Sequence, residues 1–238
     1  MQASKILVLN TKRLIAFGVL VAAGLAAWPA MSVITIDAVI IQDVETQYGN
    51  KAVKRVVNWD ELMLENKEIS IEDKLKRANR FFNKIRYRSD LEHWGMEDFW
   101  ATPLEMLGTN HGDCEDYTIA KYFTLLALGI PDEDLRITYV NAVKLGQAHM
   151  VLTYYGESKT DPLVLDNLEY WIQPASNRSD LEPVYSFNGA GLWMSQERNR
   201  SDFYKNGAQQ IDQWAAMLNR LPMDNMDPDF MLAVSSGD

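Results

Sequence analysis

The chain has 238 residues, 33 of them acidic against 23 basic, for a net charge of −10 at neutral pH. That balance argues against nucleic acid or an anionic membrane surface as partner and suits a bound cation such as calcium. Hydrophobic residues are 47% of the chain, ample for one globular domain with extensions, and a single cysteine excludes an intrachain disulfide, so packing has to hold the fold.

Lys5, Lys12 and Arg13 precede an uncharged apolar run from Leu14 to Ala27, and Ala30-Met31-Ser32 follows as an imperfect cleavage site. Residues 1–32 therefore read as a signal peptide, or as an uncleaved N-terminal anchor if the apolar count is continued through Trp28 and Met31. Both readings export residues 33–238. Val33 to Asn58 shows no clear period, and 33–65 is read as a lead segment, although Trp59 to Leu64 looks helical. Ile71 to Ile85 is a helix by spacing, with Leu75, Ala78, Phe82 and Ile85 on one face and Ser70 with Asp73 as its N-terminal cap. Pro103 suits the first turn of a short helix, Leu104 to Leu107, which leads through Gly108-Thr109-Asn110 to the cysteine.

Gly112-Asp113 supplies a turn and an N-cap for a helix that is apolar nearly all round, from Ile119 to Leu128, and that Gly129 and Pro131 end. Cys114 falls at its first or second position, where free N–H groups and the helix dipole favour a thiolate. A small core hydrophobe is the alternative reading of that cysteine. Three strands follow as an antiparallel meander: Leu135 to Val143, His149 to Tyr155, and Leu163 to Asn167. Helices first and strands after make an α+β fold. If the second turn is centred near Glu157 and Ser158, His149 falls opposite Asp166, within reach of a hydrogen bond. A thiolate nucleophile, a base and a group that orients the base are then filled by Cys114, His149 and Asp166. His93 and His111 compete for the base, and a core histidine and a turn carboxylate are the alternatives for His149 and Asp166.

Asp113, Glu115 and Asp116 crowd three hard oxygen ligands into four residues, which suits calcium over zinc. Acidic residues in a first helical turn also stabilise the dipole with no metal present. Trp171 and Trp193 are read as core, with a partner surface as the alternative, Arg178-Ser179-Asp180 as the start of a loop, Asn206 to Leu221 as a helix, and 223–238 as a flexible acidic tail.

Gly112-Asp113-Cys114-Glu115-Asp116-Tyr117 with Lys121-Tyr122, Trp100-Ala101-Thr102-Pro103-Leu104-Glu105, His149-Met150-Val151-Leu152, Leu165-Asp166-Asn167, and Phe187-Asn188 with Trp193 stand in an order that resembles the bacterial transglutaminase-like cysteine proteinases. The resemblance covers roughly residues 79–195, within a proteinase domain read at 66–222, and implies a papain-like or transglutaminase-like core with Cys114, His149 and Asp166 as triad. It also implies a periplasmic, calcium-dependent protease that cuts the N-terminal retention region of a large surface adhesin, within a small-residue stretch containing paired alanines, and promotes biofilm dispersal. Carboxylates flanking the nucleophile, Asp113 and Glu115 with Asp116 beside them, are the implied metal ligands. The implied regulator is an inner-membrane cyclic di-GMP receptor whose periplasmic domain sequesters the enzyme. The backbone N–H of Cys114 is one donor for an oxyanion, and the Trp100 indole is the candidate for the other. Two further readings stay open on the residues alone: a transglutaminase-type acyltransferase with the same triad, and a non-catalytic calcium-binding interaction module.

Overall fold

A computed structural model describes residues 36–156, 158–189, 191–196, 200–205 and 207–222. The expected signal or anchor at 1–32 and the acidic tail at 223–238 lie outside the described residues. No described helix is long and apolar enough to cross a membrane.

The first described element is a helix, α1 (Ala38–Tyr48), capped by Asp37 and ended at Gly49, whose φ of +77° is a conformation that favours glycine. A second, α2 (Asn50–Glu65), follows at once. The lead segment is thus helical and part of the core, with Ile40, Val44, Ala52, Val56, Trp59 and Met63 all buried. Its α2 positions recur at spacings of four, three and four, but exposed Val57 and half-buried Val53 obscure the period. Helix α3 (Ile71–Phe82) begins as its spacing requires, with the Ser70 hydroxyl accepting the Asp73 N–H at 3.2 Å.

A short strand β1 (Arg86–Tyr87) pairs in parallel with β2 (His111–Gly112), and between them lie α4 (Asp90–His93) and α5 (Pro103–Thr109). Thr102 and Glu105 close a capping box at the start of α5. Helix α6 (Cys114–Ala127) is buried along nearly its whole length. It ends in a Schellman motif: the Gly129 N–H bonds the Leu126 carbonyl at 2.8 Å and the Ile130 N–H bonds that of Leu125 at 3.0 Å.

Beyond α6 the chain builds a seven-stranded antiparallel sheet from β3 (Leu135–Ala142), β4 (Gln147–Tyr154), β5 (Leu163–Leu165), β6 (Gln173–Pro174), β7 (Leu181–Asn188), β8 (Gly191–Gln196) and β9 (Arg200–Lys205). The strand order is β6-β5-β4-β3-β7-β8-β9. Helix α6 packs on β4 and β3 on one side and on α3 and α5 on the other, which explains why it is apolar all round. Trp59 of α2 reaches it through an indole N–H to the Thr124 hydroxyl at 2.7 Å. The helix expected over 206–221 is shorter, α7 (Asp212–Leu218) after a 3-10 turn, and its Trp214 stacks on Phe123 and meets Phe187 edge to face. Full burial of side chains of this size contributes roughly 1.5–3 kcal/mol each. Trp171 departs from the core reading: it is 71% exposed. Trp193 is half-buried beneath the Arg136 guanidinium, 3.9 Å from its ring centroid.

Candidate active site

Strand β5 pairs with β4 for three residues only, Leu152 with Leu165, Thr153 with Val164 and Tyr154 with Leu163. The turn between them is therefore centred one residue later than expected, and extending the ladder sets Val151, not His149, across from Asp166. A slip of two residues keeps the same face, so His149 and Asp166 become diagonal neighbours instead of opposed ones, still within reach of side chains this long. The imidazole Nε2 lies 2.8 Å from Asp166 Oδ1. Oδ1 also accepts the Leu168 N–H at 3.0 Å, Oδ2 accepts from the Arg178 guanidinium at 2.8 Å, and Asn83 donates to the Asp166 backbone carbonyl at 2.8 Å. Burial alone would raise the Asp166 carboxyl, but the hydrogen bond and charge of His149, the Leu168 N–H and Arg178 outweigh it and hold the group down to about 2. An ionised carboxylate only accepts, so Nε2 carries the imidazole proton and Nδ1 is left as the basic nitrogen.

Because β5 ends at Leu165, Met150 has no partner from that strand, and α6 comes in at that place. The Thr118 hydroxyl, one turn along from Cys114, lies 2.8 Å from the Cys114 carbonyl oxygen and 3.1 Å from that of Met150, which ties the start of α6 to β4. The nucleophile candidate thus sits at the first position of α6 beside the residue that follows His149. Its thiol donates to Glu115 Oε2 at 2.9 Å. Burial, then the charge of Glu115 and its acceptance of that bond, push the thiol well up from its ordinary value, and the Met150 N–H offsets only part of this. The helix dipole amounts to about half a charge, and the carboxylates gathered at this helix end outweigh it.

Asp90, Asp113 and Glu115 bring carboxylate oxygens within 4.8 Å of one another. Asp90 and Asp113 each have one oxygen buried without a hydrogen-bond partner. Burial and mutual repulsion raise all three, Asp90 to about 6 and Asp113 to about 8. Buried hard oxygens lacking a donor are the chemistry a divalent cation such as calcium completes. Asp116, read from sequence as a third ligand, is placed elsewhere. Its Oδ1 accepts the Ala101 N–H at 2.7 Å and its Oδ2 the Asp113 N–H at 3.2 Å, so it stitches the α5 approach to the turn before Cys114. Gly112 makes room for it, since a Cβ there would come within 2.9 Å of the Asp116 side chain.

The sequence pattern of the family described as bacterial transglutaminase-like cysteine proteinase matches residues 47–187. The chain belongs to that family. Solved structures of Legionella pneumophila LapG are similar to it along most of both chains. The EGTA-treated form is 38% identical with a TM-score of 0.68, covering 79% of this chain and 98% of that one. The calcium-bound form is 39% identical with a TM-score of 0.66, covering 78% and 99%. Comparison with curated proteins returns no match. The fold is accordingly transglutaminase-like and the activity that of a cysteine protease.

Several residues of this proteinase fall where spacing alone could not put them. The other two histidines lie against each other, ring centroids 5.4 Å apart, and His111 Nδ1 is 3.0 Å from the Thr109 carbonyl oxygen. The Trp100 indole N–H, suggested as a second oxyanion donor, donates to Asp98 at 2.9 Å. Asp90 is not legible from sequence as a member of this acidic cluster because it lies 23 residues before Asp113 in a stretch without period. The β1–β2 pairing, too short to show in sequence, is what brings it back, its N–H bonding Asp113 Oδ2 at 3.2 Å. Arg178, read as part of a loop, is buried against Asp166.

Proposed function

We propose that this chain is a calcium-dependent periplasmic endopeptidase acting through a Cys114, His149, Asp166 triad on the N-terminal retention region of a large surface adhesin. The observation that carries the triad is the 2.8 Å contact of His149 Nε2 with Asp166 Oδ1, next to Met150, whose carbonyl the Thr118 hydroxyl joins to α6 one turn from Cys114. Family membership supports the protease reading, and the motifs that resemble adhesin-processing members support the substrate class.

In this mechanism His149 Nδ1 takes the Cys114 thiol proton, and the thiolate attacks a substrate carbonyl to give a tetrahedral oxyanion. Collapse breaks the C–N bond, and the imidazolium returns its proton to the leaving amine. Water then attacks the thioester, giving a proton to His149 and releasing the acid with the thiol restored. Asp166 holds the tautomer and stabilises the imidazolium throughout. The Cys114 backbone N–H, free at the first helical position, faces the oxyanion.

Calcium at this chain is supported by the cluster of Asp90, Asp113 and Glu115 and by a calcium-bound structure of a 39% identical relative. These three carboxylates would hold it, and bound calcium would supply the positive charge their burial lacks. Glu115, which accepts the thiol hydrogen, belongs to both groups, so the state of the cluster and the freedom of the thiol are coupled. Sequestration by an inner-membrane cyclic di-GMP receptor belongs to the same proposal. The experiment is cleavage of a peptide carrying a paired-alanine retention segment by residues 33–238, with calcium, with chelator and as Cys114→Ala. Cleavage that needs both thiol and calcium supports the proposal; none by folded, calcium-loaded protein defeats it.

A further inference from the structure

We infer that Arg178 is a positioning residue of the catalytic site, acting through Asp166, with Asp180 as its own anchor. The inference rests on the triad reading above. Arg178 follows the short β6 strand and is itself 7% exposed, an unusual place for a guanidinium in a loop. Its Nη2 bonds Asp166 Oδ2 at 2.8 Å, the oxygen that His149 does not use. Its Nε and Nη2 grip Asp180 at 3.1 and 3.0 Å, a two-point clasp that fixes the plane of the fork.

Two consequences follow from that geometry. A carboxylate held only at Oδ1 could rotate about its Cβ–Cγ bond and let the imidazole turn with it; a second charged donor at Oδ2 removes that freedom. The same donor favours the ionised carboxylate, which is the form that stabilises an imidazolium. Asp180, one-quarter exposed on its side chain, balances the arginine's charge, so the negative charge of Asp166 remains for His149. A lysine cannot reproduce the clasp, because it offers one point charge in place of a planar fork. Arg178 also lines a cavity of about 330 Å³ with Leu168, Glu169 and Asn177, which gives a small guanidinium ion access to the place its side chain would leave.

The test compares wild type with Arg178→Gln, Arg178→Lys, Arg178→Ala and Asp180→Asn in steady-state cleavage of the paired-alanine peptide. Alkylation of Cys114 by iodoacetamide gives a second reading that needs no substrate, since the chain has one cysteine. Loss of one charged hydrogen bond to the orienter lowers kcat on the order of 10- to 100-fold with KM nearly unchanged. Arg178→Lys falls between, Asp180→Asn loses less, and millimolar guanidinium raises the rate of Arg178→Ala in a saturable way. Alkylation near neutral pH slows in the same rank order. Unchanged kcat in Arg178→Gln and Asp180→Asn overturns the inference. So does a fall that guanidinium leaves untouched and that tracks loss of folded protein by near-ultraviolet circular dichroism. Failure of the triad reading itself shows separately, as full activity in Cys114→Ala, and would take this inference down with it.

Discussion

Replacing Asp166 with asparagine changes one atom and should reveal how much the folded protein gains from that charge. In the folded chain Asp166 accepts from His149, Leu168 and Arg178 and is 1% exposed. Its carboxyl is held at about 2, against an ordinary value of 3.8. A folded value below the unfolded one means that the contribution is complete above the unfolded value and is lost as pH falls through the folded one. The gap corresponds to about 2 kcal/mol at pH 7 and to roughly half of that at pH 3. Asparagine lacks the charge at any pH, and its amide must turn a donor toward either His149 or Arg178, both of which are donors. Urea unfolding followed by tryptophan fluorescence at pH 7, 5 and 3.5 would give the difference between wild type and Asp166→Asn directly. The expected difference is about 2–3 kcal/mol at pH 7, narrowing toward acid. A difference that stays constant down to pH 3.5, or that is absent at pH 7, would refute the reasoning.

Asp90→Asn and Asp116→Asn form a contrasting pair. Calorimetric titration with calcium should show affinity falling at least tenfold for the first, which removes a cluster carboxylate, and by less for the second, which meets the cluster only through the Asp113 backbone N–H. Asp116→Asn should instead lower stability by about 1–3 kcal/mol, because an amide can accept only one of the two backbone N–H groups that Asp116 now satisfies. Trp59→Ala should cost about 3–5 kcal/mol in urea unfolding, since it empties a fully buried site and orphans the Thr124 contact, while active-site alkylation of the folded fraction stays as in wild type. A cost under about 1 kcal/mol would show that the helices before residue 66 do not belong to the folded unit.

Much of this was readable from residue patterns where a pattern acts locally. Helix α6, its N-cap, its glycine stop and the cysteine at its first position follow from one stretch, as does α3 from Ser70 onward. The hairpin that carries His149 and Asp166 followed from alternation, and an error of two in register did no harm because side chains repeat every second residue. What escaped was whatever depends on long return paths. α1 and α2 turn their apolar face to α5, far along the chain, with Trp59 reaching on to α6, so extra valines on the outer face hid it. Asp90, at the start of α4, and Arg178, in the loop after β6, reach the site from positions set by a two-residue strand pairing and by the β6 edge. Asp116 shows the opposite difficulty: its composition fits a ligand, and only the backbone groups around it reveal a capping role. Phe187 and Asn188 sit in the core, where the Asn188 amide pins the carbonyls of Asp132 and Leu135, so their presence among the matched motifs reflects packing.

The most direct measurement of the central claim is the rate of paired-alanine peptide cleavage by residues 33–238 as wild type, Cys114→Ala and His149→Ala, each with calcium and with chelator. Cleavage is expected only from calcium-loaded wild type, with both substitutions lowering the rate on the order of a thousandfold or more. Cleavage by Cys114→Ala at the wild-type rate would contradict the triad. Cleavage by wild type that chelator leaves unchanged would contradict the metal's role and leave the triad standing.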